Sequence, residues 1–173
     1  MEKDFEKLNN DIINNINEIH DNVIYSQVTH EKEVERLMRW WHTLKITLII
    51  LSAIISSAVI TSILGKTQIS NIITVIIAAL SLVFHSISYN FDLNSKISEH
   101  KKSADELRYI RDQIQILLAE QNIWDLEKIR NERILIIEKL NLIYSYAPKT
   151  SKKSYKLAKI ALEKKRQQKL LQN

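Results

Sequence analysis

The sequence predicts an all-α integral membrane protein, a two-helix transmembrane hairpin with flanking cytoplasmic helices that form a helical bundle or a coiled coil. Three observations lead there. The 173 residues include one Gly and one Pro, too few for the many turns of a β-rich fold. Residues 46–64 and 67–91 form runs of 19 and 25 residues without a Lys, Arg, Asp or Glu. Outside those runs, apolar residues recur at spacings of three and four, the period of a helix face. The mean hydropathy of −0.18 hides this arrangement, because the apolar residues are concentrated in the middle.

The same composition excludes several classes of chemistry. A lone Gly, Gly65, cannot build the glycine-rich phosphate cradles of dinucleotide or P-loop sites. Zero Cys removes thiolate metal sites, disulfides and a Cys nucleophile. No cofactor is expected.

The N-terminal stretch places Phe5, Leu8, Ile12, Ile16, Ile19 and Val23 on one helix face, and a second helix is expected to start near Thr29 and enter the first span. A bilayer core of about 30 Å needs roughly 20 residues of helix, and both uncharged runs meet that length. The first contributes aliphatic residues from Ile46 to Leu64, each favouring insertion by about 0.3–0.6 kcal/mol. As a buried hairpin of a soluble bundle, these two helices would have almost no polar face for solvent. Only Gly65, Lys66, Thr67 and Gln68 separate the runs, so the helices must pack antiparallel, with Gly65 placed to cap the first.

Flanking cations set the orientation. Lys32, Arg36, Arg39 and Lys45 precede the first span, Lys96, Lys101 and Lys102 follow the second, and the turn carries only Lys66. Both termini are therefore expected in the cytoplasm. Trp40, Trp41, Tyr89 and Phe91 would form an aromatic belt on the cytoplasmic side, with Trp40, Trp41 and Tyr89 as interfacial anchors. The acidic start (Glu2, Asp4, Glu6) does not resemble a cleavable signal peptide.

Beyond the spans, a polar helix is expected to continue through Asp92–Ser103, with a restart at Ser103 or Asp105 carrying Leu107, Ile110, Ile114, Leu117 and Leu118. Asn122 and Asp125 mark a helix start, and Leu126, Ile129, Ile136, Ile137, Leu140, Ile143 and Tyr144 continue from it. Pro148 ends that helix, and Thr150 or Ser151 caps a last one bearing Tyr155, Ala158, Leu162 and Leu170. The resulting organisation is 1–42, an N-terminal helical region; 43–91, the hairpin; 92–147, cytoplasmic helices; and 148–173, a basic C-terminal helix. Net charge divides accordingly: −4 over 1–42, +2 over 43–91 and +7 over 92–173.

This order resembles the SLATT family, the SMODS/SLOG-associated two-transmembrane effectors of bacterial nucleotide-second-messenger and related conflict systems. The resemblance is carried by Trp40–Trp41, the hairpin 46–91, the Ala104-x-x-Leu107-Arg108 region and the segment Leu142–Ala158 (LIYSYAPKTSKKSYKLA), and it covers about residues 30–160. It implies an oligomeric effector that perforates or depolarises the inner membrane and kills or arrests an infected cell. The sequence looks closest to the branch encoded beside reverse transcriptases. No nucleotide-sensing domain is fused, so the trigger is expected from a separately encoded sensor or reverse-transcriptase partner. The alternative is a membrane-anchored scaffold that recruits such an enzyme without forming a pore.

Candidate sites follow from the residues. The five His residues (His20, His30, His42, His85 and His100) show no metal-binding order such as H-E-x-x-H, and the carboxylate pairs read as solvated helix surface. No enzyme chemistry and no metal site are expected. In the second span, Asn71, Thr74, Ala78, Ser81, His85 and Ser88 share one face. This stripe either lines a water-filled path when hairpins assemble or lets helices approach closely. The first span offers Ala53, Ser57 and Thr61 for such a contact. His85, the ionisable residue within a span, either tunes opening with pH or is a neutral interfacial hydrogen-bonding group. The tail cations Lys152, Lys153, Lys156, Lys159, Lys164, Lys165 and Arg166 suit anionic lipid, an acidic partner, or simply solvent. Nucleic acid is less favoured, because Tyr155 is the one aromatic there for stacking.

Overall fold

The structure, a computed structural model, describes the backbone of residues 2–64, 68–90 and 92–172, and the side chains of 7–57, 68, 72–89 and 92–172. The expectations placed on Phe5, Thr61, the Gly65 cap, Asn71 and Phe91 lie outside the described residues. Among those described, all regular structure is helical: α1 Glu2–Leu64, α2 Gln68–Asn90, α3 Leu93–Glu120, α4 Leu126–Tyr146 and α5 Lys152–Leu170.

Three of these bounds differ from expectation. α1 is a single helix of 63 residues and does not restart at Thr29. With no Gly or Pro before Leu64 to interrupt it, the Thr29 hydroxyl donates to the Tyr25 carbonyl at 2.7 Å and does not cap. Ser103 behaves likewise, donating to the Glu99 carbonyl at 3.1 Å, so α3 does not restart there. Instead the chain breaks earlier, between α2 and α3. The Ser95 amide donates to the Asp92 carboxylate at 3.0 Å, which makes Asp92 the N-terminal cap of α3.

The later boundaries follow the sequence signals. Asp125 caps α4 by accepting from the Lys128 amide at 2.7 Å. Ala147, just before Pro148, turns extended at φ −60°, ψ 131°, as the proline ring requires. Ser151 then caps α5, accepting from the Ser154 amide at 3.2 Å.

The chain forms two compact units, one of residues 1–34 with 98–173 and the other of residues 35–97. In the first, the stripes read from the sequence pack together: Ile12, Ile16 and Val23 of α1, Leu107, Ile110, Ile114 and Leu117 of α3, and Ile129, Ile136, Leu140 and Ile143 of α4 form the core. Side-chain contacts set the directions. Asn15 meets Arg133, and Ser26 meets Tyr144, so α1 and α4 run parallel. Lys139 reaches Gln113, and Tyr146 reaches Glu106, so α3 runs antiparallel to α4. α5 packs antiparallel on α1, with Tyr25 against Tyr155 at a ring separation of 4.8 Å and Glu33 against Ser151. Ser154 and Ala158, each 0% exposed, let the α5 backbone come close. The bundle is therefore made within one chain.

The second unit holds the apolar part of α1, α2 and the connection to α3. Both long helices are apolar and long enough to cross a membrane.

Candidate functional site

The helices of the second unit carry the membrane chemistry. On α1, Leu44 is buried and Thr47, Leu48, Leu51 and Ile55 are half-buried, at spacings of three and four. This stripe is the inner face of the hairpin. On α2 the inner face is Thr74, Ile77, Ala78, Ser81, Phe84 and Ser88, of which Ser81 is buried and the others half-buried. Most of the polar stripe expected in the second span thus coincides with the face turned into the hairpin. The side chain of Asn71 is not described, and His85 is exposed, its Nδ1 3.0 Å from the Ser81 carbonyl. The outer faces are aliphatic: Ile49, Val75 and Leu82 are 69%, 68% and 70% exposed.

Ala53 and Ser57 lie on the exposed side of α1 and not on its inner face. Leu44, Leu48, Leu51 and Ile55 take the inner positions. Ser56 and Ser57 donate to the carbonyls of Ser52 and Ala53, each at 2.9 Å. Of the anchor residues, Trp40 and Tyr89 are exposed and Trp41 is half-buried, with the Lys45 ammonium 3.8 Å above its ring.

In the first unit, all seven tail cations, from Lys152 to Arg166, are exposed on α5. Lys159 is 4.0 Å from Glu163, an exposed pair worth little. Beyond Leu162 the helix has no buried face, and Leu170 and Leu171 are 72% and 87% exposed.

Two features of this unit were not anticipated. An open groove of about 660 Å³ between α3 and α4 is lined by Lys101, Lys102, Tyr109, Lys139, Leu142 and Tyr146 among others. Lys102 sits 5.1 Å from the Tyr146 ring centroid. The Tyr146 hydroxyl donates to Glu106, and that bond pushes its ionisation up to about 12.

The second is a buried polar cluster. His30 of α1 and His100 of α3 are 6% and 4% exposed, with their Nδ1 atoms 3.0 Å apart. Burial, and then the neighbouring His100, hold His30 down at about 4, while Glu33 opposes them. Glu33, 3% exposed, accepts from the Ser151 hydroxyl at 2.6 Å and the Ser151 amide at 3.2 Å. Beside it, Arg108 reaches Glu31 at 3.1 Å and Arg111 reaches Gln27 at 3.1 Å. A sequence signal for this cluster existed. The buried stripe Ile12–Ile16–Val23 extends at helical spacing through Gln27, His30 and Glu33, which puts three polar residues on a core face. Their partners, 70 and 118 residues away, had no such signal.

Among the described residues, no group of three or more His, Cys, Asp or Glu is placed to hold a metal ion. Neither the curated proteins nor the solved structures yield a match to this chain. A family model does: the SMODS and SLOG-associating 2TM effector domain family 4 matches residues 12–173. With its two long apolar helices, the chain is a two-pass membrane protein and belongs to this SLATT family of two-transmembrane effector domains.

Proposed function

We propose that this protein is the membrane effector of a bacterial anti-phage or conflict system, and that several copies assemble through their hairpins to perforate or depolarise the inner membrane. The bundle and both termini face the cytoplasm. The observation that carries the reading is polar surface on the outside of an otherwise aliphatic hairpin. Ser52, Ser56 and Ser57 on α1 and His85 on α2 are exposed, within or beside segments that would otherwise meet lipid. Polar groups at membrane depth face a neighbouring helix or water, and small residues on an outer face allow close approach between hairpins. Neither span contains a Lys, Arg, Asp or Glu, so the path would select weakly among ions. The trigger is a separately encoded partner, a sensor or a reverse transcriptase, acting on the bundle.

The α3–α4 groove, with its Tyr109, Leu142 and Tyr146 surface, favours a second reading, a membrane-anchored scaffold that docks a cytoplasmic enzyme and conducts nothing. The two readings part at His85. It is exposed, so His85→Leu leaves the inner hairpin face intact, whereas Leu at the buried Ser81 would disturb hairpin packing under either reading. In cells expressing equal membrane levels of the two proteins and read with a voltage-sensitive dye, a pore predicts depolarisation by the wild type and a weakened response from His85→Leu. Equal responses from the two proteins would remove His85 from the path, and a polarised membrane during effector activity would favour the scaffold.

A further inference from the structure

The core of the bundle changes character along α1. From Ile12 to Val23 it is aliphatic, filled by α3 and α4. From Gln27 to Glu33 it is polar, and the partners become His100 and Arg111 of α3 and Ser151 of α5, while Ser103 of α3 and Ser154 of α5 are buried in the same bundle at 1% and 0% exposure. This layer is also where the chain leaves the first unit, after residue 34, and returns to it, at 98.

We infer that His30, His100 and Glu33 form a proton-operated latch that holds α1 to α3 and clamps the first turn of α5. A contact of 3.0 Å between two Nδ1 atoms needs one ring to donate and the other to accept. Both rings can be neutral in that arrangement, and a proton on each would set two donors face to face. Glu33 connects the pair to α5. Its carboxylate accepts both the hydroxyl and the amide of Ser151, and the same Ser151 hydroxyl oxygen accepts the Ser154 amide that starts the helix. When His30 takes up a proton in this low-dielectric layer, the carboxylate that satisfies Ser151, which already favours the charged ring, becomes a counter-charge for the imidazolium. Glu33 then turns from the cap to the ring, and α5, the helix with the basic tail, loses its anchor. Among the described residues, the groups that act on the charge of His30 are His100 from α3 and Glu33 from its own helix. The Glu31–Arg108 pair lies alongside on α1 and α3, and α5 contributes the Ser151 hydroxyl and amide. The latch belongs to the bundle and does not depend on whether the hairpin conducts.

The test is hydrogen–deuterium exchange on the full chain in detergent micelles at pH 7.5 and 4.5, corrected for the intrinsic pH dependence of exchange. The latch predicts about a tenfold or greater loss of protection at pH 4.5 confined to segments 27–34, 98–104 and 149–158, with 129–140 unchanged. It also predicts no such loss in the His30→Asn/His100→Asn variant, whose amides can still pair. If that variant is open at both pH values, Glu33→Gln decides. Gln keeps an acceptor for Ser151 but cannot pair with protonated His30 once the latch has opened, so the opened state loses its ion pair and the opening midpoint must move to lower pH. Equal protection of the wild type at both pH values, loss spread evenly over the bundle, or an unmoved or raised midpoint in Glu33→Gln would overturn the inference.

Discussion

Replacing Ala158 by Leu tests how α5 is held. Ala158 and Ser154 are both 0% exposed, one turn apart on the face pressed against α1, and no space remains for the three carbons that Leu adds. Overpacking of this kind costs about 1–3 kcal/mol. Against it stand the Glu33–Ser151 bonds at 2.6 and 3.2 Å and the Tyr25 hydroxyl donating to the Tyr155 carbonyl at 3.2 Å, each worth about 0.5–1.5 kcal/mol or more where the acceptor is charged. The Tyr25–Tyr155 ring contact at 4.8 Å is worth about 0.5–1.5 kcal/mol, and the Ser151 cap about 1 kcal/mol. The half-buried Leu157, Ala161 and Leu162 add partial apolar burial. The cost is thus a sizeable part of the docking energy, and it should fall on α5 while the aliphatic core of α1, α3 and α4 stays folded. At about 1.4 kcal/mol per tenfold, the population with α5 undocked rises about 5- to 140-fold. Limited trypsin digestion of the full chain in micelles reads this directly, through cleavage after Lys156 and Lys159. Ile160→Ala, at a site 60% exposed, serves as a control that should digest like the wild type. An Ala158→Leu protein cleaved within twofold of the wild-type rate would refute the close-approach account of α5.

Three further outcomes are expected. Asp125→Ala removes the acceptor for the Lys128 amide and should lower bundle stability by about 1 kcal/mol, seen as a reduced unfolding midpoint in urea. Because folding holds His30 at about 4, below its ordinary 6.5, the unfolded chain binds more protons between those values. Stability should therefore be full above about pH 6.5 and decline towards pH 4, by at most about 3 kcal/mol from this group, with a flatter profile in His30→Asn. Leu82→Arg puts a cation on the 70% exposed outer face of α2 at a cost of about 2.5–3.5 kcal/mol of insertion free energy. It should shift protein from the membrane fraction, whereas Leu82→Ile should not.

Much of the fold was legible because the relevant signals are local. Pro148 and Ser151 bound a helix end and a helix start through fixed backbone chemistry, as does Asp125. The uncharged runs state the spans by length alone, and the stripes on α3 and α4 name nearly the whole core. The misjudged positions are those where one side chain has two local options. Thr29 and Ser103 can cap a helix or bond back to the i−4 carbonyl, and in an uninterrupted helix the second costs less than breaking the backbone ladder. Asp92 went unread as a cap because no Gly or Pro beside it announces the break.

The candidate site was less legible for a different reason. The stripe from Thr74 to Ser88 can be read from spacing, but whether it faces a partner span or an aqueous path depends on what packs against it. A small polar face serves both uses. The His30–His100 contact and the Glu33–Ser151 clamp join residues far apart in the chain. Pairwise placement of that kind is set by the bundle and not by any local pattern.

The central claim, that activated copies of this protein open the membrane, is tested most directly by membrane potential. Bacteria would express the chain with the product of its neighbouring gene and be read with a voltage-sensitive dye before and after phage challenge. The account predicts loss of potential after challenge in cells carrying the whole system, and a retained potential where the chain alone is deleted. A potential maintained while the challenged cells arrest, with the chain present in the membrane, would contradict it.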